Sequence, residues 1–102
     1  MALCVIWTRP AAAELEAIAE YITQDSPSYA ATFVQHVFAA TRMLARYPEA
    51  GRVVPEYGDE RVRQWIVHTY RLIYTRRDER LIVLGLIHGA RRLPGDLLSR
   101  GS

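Results

Sequence analysis

Lysine does not occur in this chain of 102 residues; all thirteen of its basic side chains are arginine. Cysteine occurs once, at Cys4, which excludes an internal disulfide and any cysteine-based metal cluster. Cys4 sits in the apolar run ALCVIW and is expected to be a small buried hydrophobe. Long apolar stretches are missing too. The longest, 81–87, is far short of the roughly 20 residues that cross a bilayer, and no signal-peptide pattern precedes Trp7. A soluble, cytoplasmic protein without membrane association is the expectation. The chain has no glycine-rich phosphate loop, since Gly85 and Gly89 stand isolated, and no His, Asp or Glu cluster at metal-ligand spacing. No serine or cysteine nucleophile has a recognisable setting. Neither a metal nor a cofactor is expected.

What is present is a globular composition, half hydrophobic and a quarter charged, at a length that suits one domain with a real core. The charge is uneven. Residues 1–60 carry four arginines against eight acids, whereas 61–92 carry eight arginines against Asp78 and Glu79. The last third, 61–94, also holds three runs rich in Val, Ile, Leu and Tyr, expected as consecutive antiparallel strands near 62–67, 70–75 and 81–87. The short links between them demand hairpins. Such a sheet is expected to give the helices one apolar side and to carry guanidinium groups at its edges and far side.

Upstream, residues 2–7 read as a first strand, apolar enough to lie inside the sheet. Pro10 can occupy the first turn of a helix, in which Ala11, Leu15, Ile18, Ala19 and Ile22 recur at helical spacing up to about Gln24. Ser26 can cap a second helix with Pro27 in its first turn. There Ala30, Phe33, Val34, Val37, Thr41 and Leu44 form one stripe, which Phe38, Ala39, Ala40 and Met43 widen, and the helix closes near Arg46. Residues 48–59 are the one long irregular stretch, and 93–102 reads as a loose polar tail. The expected fold is α+β, in the order β-α-α-β-β-β, a helical hairpin packed on a small, mainly antiparallel sheet.

Three histidines are candidates for chemistry. His36 reads as an interfacial or solvent residue, while His68 and His88 end strands beside the arginine-rich region. A histidine that moves a proton beside guanidiniums that stabilise charge on phosphorus can cleave RNA, although a strand-end histidine often only closes a hydrogen bond. Trp65 and Tyr70 can stack on bases or simply pack on the sheet.

The segments WTRPAAAELEAIAEYI, LARYPEAGRVVPE and YRLIYTRRDERLIVLGLIHGARR, in this order and spacing over about residues 3–92, resemble the RelE/ParE superfamily of bacterial type II toxins. The resemblance implies a small toxin in a hetero-oligomer with a cognate, ParD-like antitoxin, which lays a segment over the helices and sheet. Phe33, Val37, Phe38 and Met43 are the expected antitoxin contacts. RelE-like members cut mRNA in the ribosome with basic residues and a His or Tyr near the C-terminus. ParE-like members lack that set and poison DNA gyrase. Here the middle strands have no lysine and the final tyrosine is Tyr74, while HGARR, YRLIY and GRVVPE look ParE-like. A gyrase inhibitor with no catalytic residue of its own is therefore expected, touching its target through Arg63, Arg76, Arg77, Arg80, Arg91 and Arg92. The alternative is a ribosome-dependent endoribonuclease with His88 as acid/base and Arg61, Arg71 and Arg91 as phosphate clamps. A second alternative is an inactive antitoxin-binding or repressor component.

Overall fold

Two short polar residues set the course of the first half of the chain. Thr8 leaves the first strand in an extended conformation, and its hydroxyl accepts from the Ala11 N–H at 3.2 Å, which starts a helix with proline in its first turn. Ser26 serves two helices at once. Its N–H donates to the Ile22 carbonyl and closes the first, while its Oγ accepts from the Tyr29 N–H and opens the second. One residue between two helices forces an antiparallel hairpin.

The computed structural model describes residues 1–101. In chain order these form β1 (Cys4–Trp7), α1 (Arg9–Asp25), α2 (Pro27–Arg46), β2 (Arg52–Val53), β3 (Val62–Val67), β4 (Tyr70–Arg77), β5 (Arg80–His88) and a 3₁₀ turn (Leu97–Ser99). The sheet order is β1-β5-β4-β3-β2, with β1 parallel to β5 and the other neighbours antiparallel. This is the expected α+β arrangement with one addition. The irregular stretch contains β2, which pairs Arg52 with Gln64 and Val53 with Arg63.

The first strand is an edge strand, not an interior one, and Cys4 is exposed rather than buried. Strand geometry gives the reason. Leu3, Val5 and Trp7 turn toward the helices, so the alternate positions Cys4 and Ile6 turn away, and Ile6 stays 40% exposed. Both hairpins close through two residues, His68-Thr69 and Asp78-Glu79. The first residue of each has positive φ, 55° at His68 and 54° at Asp78, in the left-handed region that glycine occupies at lower cost. The tighter second turn extends the strands beyond the expected ends and takes Arg76, Arg77 and Arg80 into them.

The sheet is apolar on both sides. Phe33, Val37, Leu44, Leu72, Tyr74 and Leu86 belong to the helix-side core. Opposite, Val54, Val62, Ile73, Ile82, Leu84 and Ile87 form a second cluster with Leu97. Residues 93–101 are thus docked, not loose; Ser102 lies outside the described residues. β1 pairs with β5 only as far as Val83, so the backbone beyond needs other partners. Arg100 donates to the Leu84 carbonyl and to Glu14, and Glu14 accepts from the Leu86 N–H. GDLLSR is polar by composition, but a single well-placed leucine, Leu97, is fully buried.

Tyr74 ties the loop after α2 to this frame. Its hydroxyl donates to the Pro48 carbonyl at 2.8 Å and accepts from the Gly51 N–H at 3.0 Å. A side chain at Gly51 would overlap that hydroxyl. Tyr74→Phe strands the buried Gly51 N–H and the part-buried Pro48 carbonyl and is expected to lower stability by about 1–2 kcal/mol, measured by urea unfolding.

Candidate functional site

β4 carries the alternation that decides which arginines can meet. Tyr70 packs on the helix-side core, so its neighbour Arg71 points to the opposite face. There Arg71 is 7% exposed and forms a bidentate pair with Glu56 at 2.7 and 2.8 Å, while Gln64 accepts two further hydrogen bonds. The Arg71 guanidinium holds the Glu56 carboxyl down at about 2, against the raising effect of desolvation. Arg71 is thus a neutralised structural cation with every guanidinium nitrogen hydrogen-bonded, not an open phosphate clamp. Arg61 pairs with Asp59, but its side chain is 83% exposed, so the bridge adds little stability. Arg63 donates to the carbonyls of Gly51 and Glu49.

His88 faces the other way. Its ring meets Tyr70 edge-on at 5.2 Å, and Nδ1 accepts from the Ala90 N–H at 3.1 Å, which leaves the proton of the neutral ring on Nε2. A cleft of about 420 Å3 opens here, lined by Glu14, Ile18, Tyr21, Tyr70, His88 and Arg91. Burial, helped by Tyr21 and Tyr29, pushes the Tyr70 phenol up.

The expected nuclease set is therefore dispersed. His88 and Arg91 share the cleft, Arg71 lies on the opposite face, and Arg61 lies at the other end of the sheet. Val62 is opposite Thr75 while His88 is opposite Tyr70, and five residues of strand span about 17 Å. No single phosphate reaches all four.

The basic field likewise splits in two. Arg76, Arg77 and Arg80 crowd the β4–β5 hairpin tip, where Arg76 donates to the Asp78 carbonyl and Arg77 to that of Gly101. Arg61, Arg76 and Arg77, with Asp59 and Thr75, line a cleft of about 460 Å3 at this end. Arg91 and Arg92 follow β5 at the far end and, like Arg80, make no ion pair among the described residues. β5 separates the two groups by about 26 Å.

On α2, Phe33 and Val37 are fully buried in the helix-side core and offer no surface to a partner, because the stripe that marks them as apolar is the one that packs on the sheet. Phe38 is 41% exposed, beside Trp7, and Met43 lines a groove with Ala39, Trp65 and Ile66. Trp65 and Ile66, both exposed, extend the apolar surface beyond what the helical stripe reveals.

Three polar groups escaped the sequence reading: Glu56, Glu14 with Arg100, and the chain Tyr29–His68–His36. Each joins residues at least 15 positions apart, so no local spacing signals them. Among the described residues, no cluster of three or more His, Cys, Asp or Glu side chains can hold a metal, and no helix is long and apolar enough to cross a membrane.

A family model described as the ParE toxin of the type II toxin-antitoxin system, parDE, matches residues 5–93. Toxin RelE2 of Caulobacter vibrioides is 36% identical over 87 residues, covering 85% of this chain and 96% of that protein. A chain from the solved structure "Chromosomal ParDE TA system from P. aeruginosa" superposes with a TM-score of 0.69 over 84% of this chain and 95% of that one. At 22% identity, that likeness is one of fold.

Proposed function

The chain belongs to the ParE toxin family of type II toxin–antitoxin systems, and from that premise we propose that it inhibits DNA gyrase through surface contacts, with no catalytic residue of its own. As a toxin of the RelE/ParE superfamily it has an antitoxin as partner. The reading of the target rests on one observation: His88, Arg71 and Arg61 do not converge. RNA cleavage needs a proton-transfer group and cations around the same phosphorus, and here the best-bonded cation is consumed by Glu56.

The contacts with gyrase or its cut DNA are assigned to the hairpin tip, where Arg76, Arg77 and Arg80 gather and where Arg76 and Arg77 each give one donor to a backbone carbonyl and keep the others for a partner. Arg91 and Arg92 supply a second, separate cationic point, and Arg63 is set aside because it lies on β3, away from both groups, with Nη1 shared between two loop carbonyls. For the antitoxin, Phe38, Met43, Trp65 and Ile66 are the exposed apolar anchors.

The test is gyrase supercoiling of relaxed plasmid, scoring both supercoiling and trapped linear DNA. The expected result is loss of supercoiling with trapped breaks, weakened at least tenfold when Arg76, Arg77 and Arg80 are all changed to glutamine and unchanged in His88→Ala. Arrested translation with gyrase unaffected would overturn the reading. In that case mRNA cleavage lost in His88→Ala would mark the His88–Arg91 cleft as the active site. Expression without any growth defect would instead indicate an inactive antitoxin-binding component.

A further inference from the structure

Tyr29 and His36 stand seven residues apart on α2, two turns along one face. His68, at the β3–β4 turn, reaches up between them. Its Nδ1 lies 2.8 Å from the Tyr29 hydroxyl and its Nε2 lies 2.8 Å from Nδ1 of His36. The Phe33 ring meets the imidazole of His68 edge-on at 5.3 Å and fixes its plane from below. Both histidines are exposed, and the other groove residues beside them, Ala39, Ala40, Met43, Trp65, Ile66 and Val67, carry no charge.

His68 shares its left-handed backbone with Asp78 at the other hairpin turn. At φ 55° it occupies a conformation that costs a residue with a Cβ about 1–2 kcal/mol and glycine almost nothing. Glycine would build the same turn. Here the turn position carries an imidazole aimed at a second imidazole, and that ring-to-ring geometry points to a use for the side chain.

We propose that His36 and His68 form a two-histidine clamp for a divalent transition-metal ion of the zinc type, with Tyr29 as its outer support. In the metal-free protein the two facing nitrogens share one hydrogen, so one of them already offers a lone pair to the other. An ion bound by both nitrogens displaces that hydrogen. Whichever ring donates shifts its proton to its far nitrogen, giving His36 protonated at Nε2 and His68 at Nδ1, with no net proton released. His68 then donates Nδ1–H to the Tyr29 oxygen, the kind of contact by which a metal-bound imidazole is oriented. Two nitrogens at zinc distance in tetrahedral geometry stand about 3.3 Å apart, so the pair opens by about half an ångström from its present 2.8 Å and both rings turn until their lone pairs converge on an ion beside the N···N line. Water fills the remaining positions. The ion would staple α2 to the β3–β4 turn. Nothing in this depends on whether gyrase or the ribosome is the target.

The test is calorimetric titration of the untagged, full-length protein with zinc chloride, alongside thermal melts in zinc and in EDTA. One zinc per chain is expected, with a higher melting temperature in zinc. His36→Gln and His68→Gln should each weaken binding at least tenfold and Tyr29→Phe several-fold, whereas His88→Gln and Cys4→Ser should leave it unchanged. Melts in EDTA establish that each variant is folded. Should His68→Gln fail that check, His36→Gln, a change on an exposed helix face, carries the test. The absence of zinc binding at millimolar concentration overturns the proposal. So does undiminished binding in His36→Gln, or binding that disappears in Cys4→Ser.

Discussion

Phe33→Ala is expected to remove about 3–5 kcal/mol of stability, the range for deleting a fully buried aromatic ring from a packed core. Phe33 is 0% exposed, and its ring touches both Tyr70 and His68, each at a centroid distance of 5.3 Å. The cavity would therefore open where α2, the start of β4 and the β3–β4 turn meet, and those elements cannot all close on it at once. Total stabilities of domains this size are about 5–15 kcal/mol, so the variant should sit near the edge of folding, with a melting temperature lower by at least about 12 °C. Phe38→Ala provides the contrast. Its ring is 41% exposed with one edge contact to Trp7, so stability should change by no more than about 1 kcal/mol. Urea unfolding measured together with antitoxin capture separates the two residues. Phe33→Ala should lose capture only as it unfolds, while Phe38→Ala should stay folded and bind antitoxin more weakly. A folded, stable Phe33→Ala that no longer binds antitoxin would place that ring at the interface after all.

Arg71→Ala should cost about 2–4 kcal/mol. Breaking a buried ion pair by removing one partner typically costs 3–5 kcal/mol, but the Glu56 side chain is 44% exposed and recovers part of its hydration once released. Gln64 also loses both guanidinium donors. The same pair sets an acid limit on the fold. The Glu56 carboxyl is lowered from 4.5 to about 2 mainly by hydrogen bonding from Arg71. A carboxylate with a depressed value stabilises the folded state above its unfolded value and loses that contribution as pH falls. The decline should therefore run from about pH 4.5 down to about 2. Solvent screening at a half-exposed carboxylate limits the contribution to about 1–2 kcal/mol. Glu56→Gln should flatten the stability profile across that window while leaving the neutral-pH sheet intact. Urea midpoints between pH 2 and 6 measure it, and an unchanged slope would show that the pair carries no pH-dependent stability.

These two expectations separate the arginines into those that build the fold and those that remain for a partner. Arg71, Arg63 and Arg100 are spent on Glu56, on loop carbonyls, and on Glu14 with the Leu84 carbonyl. Arg80, Arg91 and Arg92 make no ion pair among the described residues, and Arg76 and Arg77 each give only one donor to a backbone carbonyl. The formal charge of the last third therefore overstates the positive surface a target meets, and the hairpin tip is where it is densest.

The element order, both helix starts and the three long strands were legible in the sequence. They depend on short-range physics: a capping hydroxyl at Thr8 and Ser26, proline in the first turn, and periods of 3.6 or 2 in apolar residues. The family was legible for a related reason, since the order and spacing of those elements is what its members share. Side-chain fate was not legible where it depends on what lies across a strand or beneath a helix. Phe33 and Phe38 look alike in sequence, and only their angle around α2 buries one and exposes the other. The strand of Cys4 looked interior because apolar content does not distinguish an edge covered on one face from a centre covered on both. The tail looked loose because Leu97 finds its cluster only after the sheet exists. The sequence by itself determined which elements form and in what order, because helices and strands answer to neighbours a few residues away. Only the tertiary structure decided that Arg71 belongs to Glu56, that His88 and Arg61 lie at opposite ends of the sheet, and that His36 meets His68. Each of those facts is a contact between residues 15 or more apart, or the lack of one, and strand register and helix packing fix it.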